Sequence, residues 1–207
     1  MSNSSLLVYD CEIINLVPTQ NEEPMPGVNY CDGWDDFDGM GISVITAFDY
    51  VTNNYRIFCN DNFEQFQALV NQRDVIAGFN SLAFDNNLCR ANGIEIDDAK
   101  SYDLLVEIWD AVGLGRAFTS ADHKGFGIDA CSLANFGEGK TSDSAMAPVW
   151  WQRGEIGNAI DHGLRDTRMT KRLLDTVMHN GLICHPKEPV MIDVRKPPVQ
   201  PPAIRFL

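Results

Sequence analysis

Asp10 and Glu12 stand one residue apart where an apolar run ends, in the stretch LLVYDCEI at 6–13. Successive side chains of a strand point to opposite faces, so these two carboxylates share one face. Two anions held that close repel each other, and desolvating them costs several kcal/mol (roughly) without a cationic partner. A wet strand end makes the pair harmless; a bound metal ion compensates it. Asp85 adds a third acid, five residues after Asn80 in GFNSLAFDNNL and about one turn into the helix that follows. His162 and Asp166, in DHGLRDTRMTKRLLD, are four apart and share a helix face. Hard oxygen donors of this kind select Mg²⁺ or Mn²⁺ over softer metals. Two such ions about 3.5–4 Å apart can activate a water on one side of a phosphodiester and stabilise the departing oxygen on the other. Each piece taken singly has a plainer reading: a solvated helical Asp85, and an i,i+4 surface pair for His162 and Asp166.

The elements that must carry these residues follow from periodicity. Residues 5–13 read as the first buried strand, and 18–40 (PTQNEEPMPGVNYCDGWDDFDGM) as a polar excursion punctuated by Gly and Pro. Two strands, 41–50 and 54–60, are joined by a turn at 52–54. Phe63, Phe66 and Val70 fall at helical spacing in 62–71. A short strand at 74–80 leads into a helix at 81–93 closed by Gly93, and a brief strand near 99–102 precedes a helix at 103–113 capped by Asp103. After a loop at 114–128 come a short helix at 129–137 and a final helical stretch, broken at most once, from about 155 to 180, stopped by Gly181. Three leading strands able to pair as a meander, then alternating helix and strand, give a mixed α/β sheet with helices on its faces. Active sites of such sheets gather at the carboxyl ends of the strands, where Asp10 and Glu12 stand.

The whole chain has 207 residues, enough for one domain over 1–185 with an acidic insertion at 18–40, followed by a proline-rich tail over 186–207. Its KPPVQPP stretch at 196–202 is expected to run as extended polyproline on the surface or into solvent. No apolar run is long enough to span a bilayer, so no membrane association is expected. Six cysteines without any C-x-x-C pair suit reduced thiols in a cytoplasm. The net charge of −13 opposes nucleic-acid binding, unless several of the acids hold divalent ions that supply the positive charge.

D-x-E on a first strand, G-F-N-x-x-x-x-D after a later strand and H-x-x-x-D near the end of the domain together resemble the DEDD superfamily of 3′→5′ exonucleases. SYDL at 101–104 and LANFGEGK at 133–140 are weaker intermediate features of the same resemblance, which spans about 5–181. It implies an RNase H-like fold and hydrolysis of single-stranded DNA or RNA from the 3′ end, releasing nucleoside 5′-monophosphates, with a polymerase or helicase as candidate partner. It further implies that Asp10 bridges two divalent ions, that Glu12 and Asp166 complete one site, and that Asp85 holds the other largely through water. His162 would take the proton of the attacking water. The superfamily divides into Tyr-x-x-x-Asp and His-x-x-x-x-Asp branches, and this chain combines the histidine of one with the spacing of the other. Two alternatives stay open: a nucleic-acid-binding module of the same fold with weak turnover, and a nuclease of short oligonucleotides or nucleotide signals.

Weaker signals fill in the surroundings. Trp34 and Phe37 in the insertion are candidates for stacking on terminal bases, and Asn80 and Lys124 for further substrate contacts. Arg116, His123, Lys140 and Arg153 could likewise meet phosphates. GEGKT at 137–141 ends like a phosphate-binding loop, but Ala134 occupies the place of its first glycine. CDGWDDFDGMGI fails as a calcium loop, since Trp34 and Ile45 would fall where acids belong.

Overall fold

The computed structural model describes residues 5–19, 23–139 and 146–199. In chain order its elements are β1 (Leu6–Ile13), α1 (Phe37–Met40), β2 (Ile42–Asp49), β3 (Asn54–Phe58), α2 (Phe63–Asn71), β4 (Val75–Gly78) and α3 (Asp85–Ala91). Then follow β5 (Ser101–Asp103), α4 (Leu104–Ala111), α5 (Ile128–Phe136), α6 (Met146–Gln152), α7 (Ile156–Asn180), β6 (Leu182–Cys184) and β7 (Met191–Asp193). Five strands form one sheet in the order β3-β2-β1-β4-β5, antiparallel across the β1–β2 and β2–β3 pairs and parallel across β1–β4 and β4–β5. This is the mixed α/β sheet expected, of RNase H-like form. The β6–β7 hairpin stands as a second, two-stranded sheet.

The pleat of β1 divides the interior in two. Leu6 and Val8 face the cluster built with α4, α5, α7 and β7, whereas Leu7, Tyr9 and Cys11 face the cluster built with α2 and α3. Both faces of β1 and β2 are covered, which is why apolar residues point to both sides of these strands, as in Leu6–Tyr9. Helix α7 carries a buried stripe at spacings of three and four that changes character along its length. It is polar at His162, Gly163, Asp166, Thr167 and Thr170, then apolar at Leu173, Leu174, Val177 and Met178. The apolar half packs with Leu6 and Val8, so α7 runs back along β1 and lays its polar half over Asp10 and Glu12.

Three segments differ from the sequence reading. The helix expected over 81–93 begins only at Asp85, because the Asp103 carboxylate accepts the backbone N–H groups of Asn80 (2.8 Å) and Leu82 (3.0 Å) and holds 80–84 as a turn. The same carboxylate caps α4 at Leu105 N–H, as its position in the sequence predicts. Helix α7 is continuous, ending at Gly181 with φ +76°. Its partner α6 had no clear periodic signal. Finally, the stretch between Pro186 and the KPPVQPP segment joins the domain. Residues 191–193 pair with 182–184, Ile192 and Val194 enter the core, and the Tyr102 hydroxyl donates to the Arg195 carbonyl at 2.6 Å. The Arg195 guanidinium also grips the buried Glu107 carboxylate. All six cysteines are free thiols.

Candidate active site

Strand β1 outruns its parallel partner. Leu6–Val8 pair with 75–77, and β4 then ends at Gly78. The turn at 80–84 brings the first residue of α3 back against the unpaired flank of β1, where the Asp85 carboxylate accepts the Cys11 N–H at 2.9 Å. A side chain thus replaces the strand carbonyl that would have stood there, satisfying a buried donor. Two backbone features make this return possible. Asn80 adopts φ +65°, a left-handed conformation that asparagine tolerates, and Gly78 has no Cβ, which would sit 2.5 Å from Ser81 Cβ. Burial pushes the Asp85 carboxyl up to about 7, with the Asp103 carboxylate adding to the shift and the Cys11 N–H opposing it. Asp103 is itself pushed up by burial, against four backbone N–H groups that hold it down.

On the other face of β1 lie the remaining candidates. Glu12, His162 and Asp166 are all buried, and His162 Nε2 stands 3.8 Å from Glu12 Oε1. Asp10 is directly opposite Thr46 on β2, and the Thr46 hydroxyl bonds that of Thr167, the neighbour of Asp166, at 2.7 Å. This pair of threonines sets the helix onto the sheet at the depth of the acids. The Trp150 ring meets the His162 ring edge-on, with centroids 6.0 Å apart. The shared-face readings of Asp10 with Glu12 and of His162 with Asp166 therefore meet at one place, with Asp85 beside it on the strand backbone.

Gly163 is a residue the sequence reading passed over. A Cβ there would stand 3.1 Å from Thr46 Cγ2 and 3.3 Å from Glu12 Cγ, so an alanine fits only if these side chains give by a few tenths of an ångström. A glycine inside a helix, costing about 1 kcal/mol relative to alanine, was the available signal. Gly163→Ala is expected to push Thr46 and Glu12 slightly aside, and a melting temperature within a few degrees of wild type is the result to look for in paired melts.

The donor types fit divalent hard cations: Asp10 and Glu12 on β1, Asp85 on α3 and Asp166 on α7, all but Asp10 buried. Among the described residues, however, no three His, Cys, Asp or Glu side chains stand together in an arrangement that could hold a metal ion. The fit is therefore one of chemistry, and the ions would have to draw the carboxylates closer.

The raised Asp85 carboxyl has a consequence for stability without metal. A folded value near 7 against an unfolded one near 4 means the native state holds the proton more tightly, so stability falls as pH rises between those values. Asp85→Asn keeps an oxygen for the Cys11 N–H and removes the charge. In chelator, melting of the variant should exceed wild type above pH 7 by several degrees, on the order of a few kcal/mol, and converge with it near pH 4. Parallel pH dependences of the two proteins would return Asp85 to an unstrained environment.

The other sequence candidates are spread more widely. Trp34 is two-thirds exposed and lines a cavity that ends at Glu12. Phe37 is turned against Phe84, ring centroids 5.9 Å apart, and Phe84 takes the place in that cavity wall. Asn80 serves the turn through its backbone. Lys124 is exposed on the 114–127 loop, its carbonyl near Lys187 Nζ. Arg116 is tied to Asp110 (2.6 Å), and His123 is buried, bonded to the Gly115 carbonyl and Thr119. Arg153 is exposed after α6, and Lys140 lies outside the described residues.

Fold and site together define an RNase H-like α/β domain with an acidic centre at the carboxyl end of its middle strand. No protein-family model matches the chain, and no curated protein matches its sequence. Among solved structures it is similar to the family B DNA polymerase of the hyperthermophilic archaeon Pyrobaculum calidifontis, with a TM-score of 0.53 and 17% identity. The likeness covers 84% of this chain but only 24% of the polymerase, and at that identity it is a likeness of fold.

Proposed function

We propose that the protein is a metal-dependent 3′→5′ exonuclease of the DEDD type, hydrolysing phosphodiesters at single-stranded ends to release nucleoside 5′-monophosphates. The observation that carries this reading is the meeting of Glu12 and His162, 3.8 Å apart, beneath the polar half of α7 at the end of β1. The order of the three sequence motifs supports it, as does a fold shared with part of a DNA polymerase. Asp10, Glu12 and Asp166 would hold one ion, with Asp10 shared and Asp85 serving the second. When bound, the ions would supply an activated water and charge stabilisation at the departing oxygen. His162, placed beside Glu12, would accept the proton that water loses. Asp103 has an indirect part, since it holds the turn that returns Asp85 to β1.

The test is incubation with end-labelled single-stranded DNA and RNA in Mn²⁺, resolving products by length and by terminal phosphate. A ladder shortening from the 3′ end with mononucleotides as product supports the reading. Binding of the strands without turnover would favour a binding module instead, and internal cuts would overturn the exonuclease assignment.

A further inference from the structure

Asn86 follows Asp85 in the first turn of α3 and is fully buried. Tyr9 precedes Asp10 on β1 and is buried in the cluster shared with α2 and α3. A hydroxyl or a primary amide taken out of water costs free energy unless it is paired. Here the two pair with each other, the Tyr9 hydroxyl donating to Asn86 Oδ1. The amide hydrogens of Asn86 go the other way, to Asp98 Oδ1 (2.7 Å) just ahead of β5 and to Ser101 Oγ (2.9 Å) at its first residue. Asp98 also accepts Arg90 Nη1 (2.9 Å), from one turn further along α3. One buried amide thus joins β1, α3 and β5. The start of α3 meets β1 at a second point, where Asp85 accepts the Cys11 N–H. Two adjacent helix residues therefore grip the two strand residues that flank Asp10.

Resting on the hydrolytic reading above, we infer that Asn86, together with Tyr9, is a positioning residue for Asp85: the pair fixes where that carboxylate stands against the end of β1, relative to Asp10. A buried carboxylate gains by turning out to water, and one bond to a strand N–H is worth little on its own. The anchored amide keeps the first turn of α3 down on β1, so the Asp85 side chain is carried on a fixed backbone. Without the Tyr9 hydroxyl, Asn86 Oδ1 is left buried without that donor. Relief then comes by movement of the helix start toward water, and Asp85 moves with it. A displacement of about 1 Å at a reacting group can cost about 100-fold in rate.

Tyr9→Phe removes one oxygen and keeps the ring packed, so it is milder than any change at Asn86, which would strand Asp98 and Ser101 as well. Tyr50→Phe is the control, because its hydroxyl donates to Asp175 at 2.7 Å, toward the end of α7 away from His162. The first readout is amide hydrogen exchange without metal. In Tyr9→Phe the Cys11 amide should exchange about tenfold or more faster, over and above any change at Leu7 in the paired part of the same strand. Tyr50→Phe should leave the ratio of those two rates as in wild type. The second readout is turnover of end-labelled single-stranded DNA and RNA in saturating Mn²⁺. Tyr9→Phe should lower kcat about tenfold or more with KM near wild type, and Tyr50→Phe should keep both. A Cys11-to-Leu7 exchange ratio unchanged by Tyr9→Phe overturns the inference, as does an equal loss of kcat in the two variants; either result leaves the hydrolytic reading standing. Faster Cys11 exchange in Tyr9→Phe, beside a wild type that turns over neither strand, supports the hold on Asp85 and overturns the hydrolytic reading.

Discussion

Asp10→Ala should abolish hydrolysis, by about 10³-fold or more, and at the same time remove the stabilisation that Mn²⁺ or Mg²⁺ gives the wild-type fold. The two effects share one cause. Asp10 lies on the strand face turned toward α7, opposite Thr46, whose hydroxyl bonds that of Thr167 beside Asp166. Bound cations would draw these carboxylates together and offset their repulsion, and a ligand at about 100 times its Kd adds roughly 2.7 kcal/mol to the native state. Transition-state stabilisation of several kcal/mol, converted at about 1.4 kcal/mol per tenfold, gives the expected loss of rate. Melting curves with and without saturating Mn²⁺, run beside single-turnover assays, check both halves. An Asp10→Ala protein that stays active, or a wild type whose melting ignores Mn²⁺, would defeat the two-ion assignment.

His162→Ala should lower the rate by about 10²–10⁴-fold, the usual contribution of a general base, while substrate affinity stays near wild type. The ring is buried, set between Glu12 and the edge of Trp150, so it is held and not swinging in solvent. Only neutral imidazole can accept a proton, so the wild-type rate should climb with pH and then level, and the alanine variant should lose that climb. His162→Tyr should recover part of the rate, since a hydroxyl at this helix position can still orient a water. If His162 only filled space under α7, alanine would leave a small cavity, lower the melting temperature and spare the pH profile. Single-turnover rates for the three proteins across pH 5.5–9 separate these outcomes.

Much of the site could be read without the fold because two of its parts are local. Strand alternation puts Asp10 and Glu12 on one face, and helical spacing does the same for His162 and Asp166. Asp103 as a cap and Gly181 as a helix stop are likewise properties of a few neighbouring residues, and both stand as the sequence indicates. The mixed character of the sheet also followed from patterning, since three strands able to pair as a meander precede alternating helix and strand.

What the tertiary structure alone decided is how those local pieces meet. Nothing within GFNSLAFD says that β4 stops short, that Asp103 arrests the turn, or that Asp85 bonds the backbone of Cys11, 74 residues away. Gly163 carries no local sign of touching Thr46 and Glu12, because that contact depends on how far α7 sinks onto the sheet. Phe84 lines the cavity where Phe37 does not, a matter of which side of one aromatic pair faces the opening. Residues 191–195, proline-flanked and short, read as a tail, yet Ile192 and Val194 fill a gap against α4 that only packing creates. Periodicity records which side of an element is buried. Distance, depth and the partner across the gap are set by contacts between residues far apart in the chain, and these no short window of sequence contains.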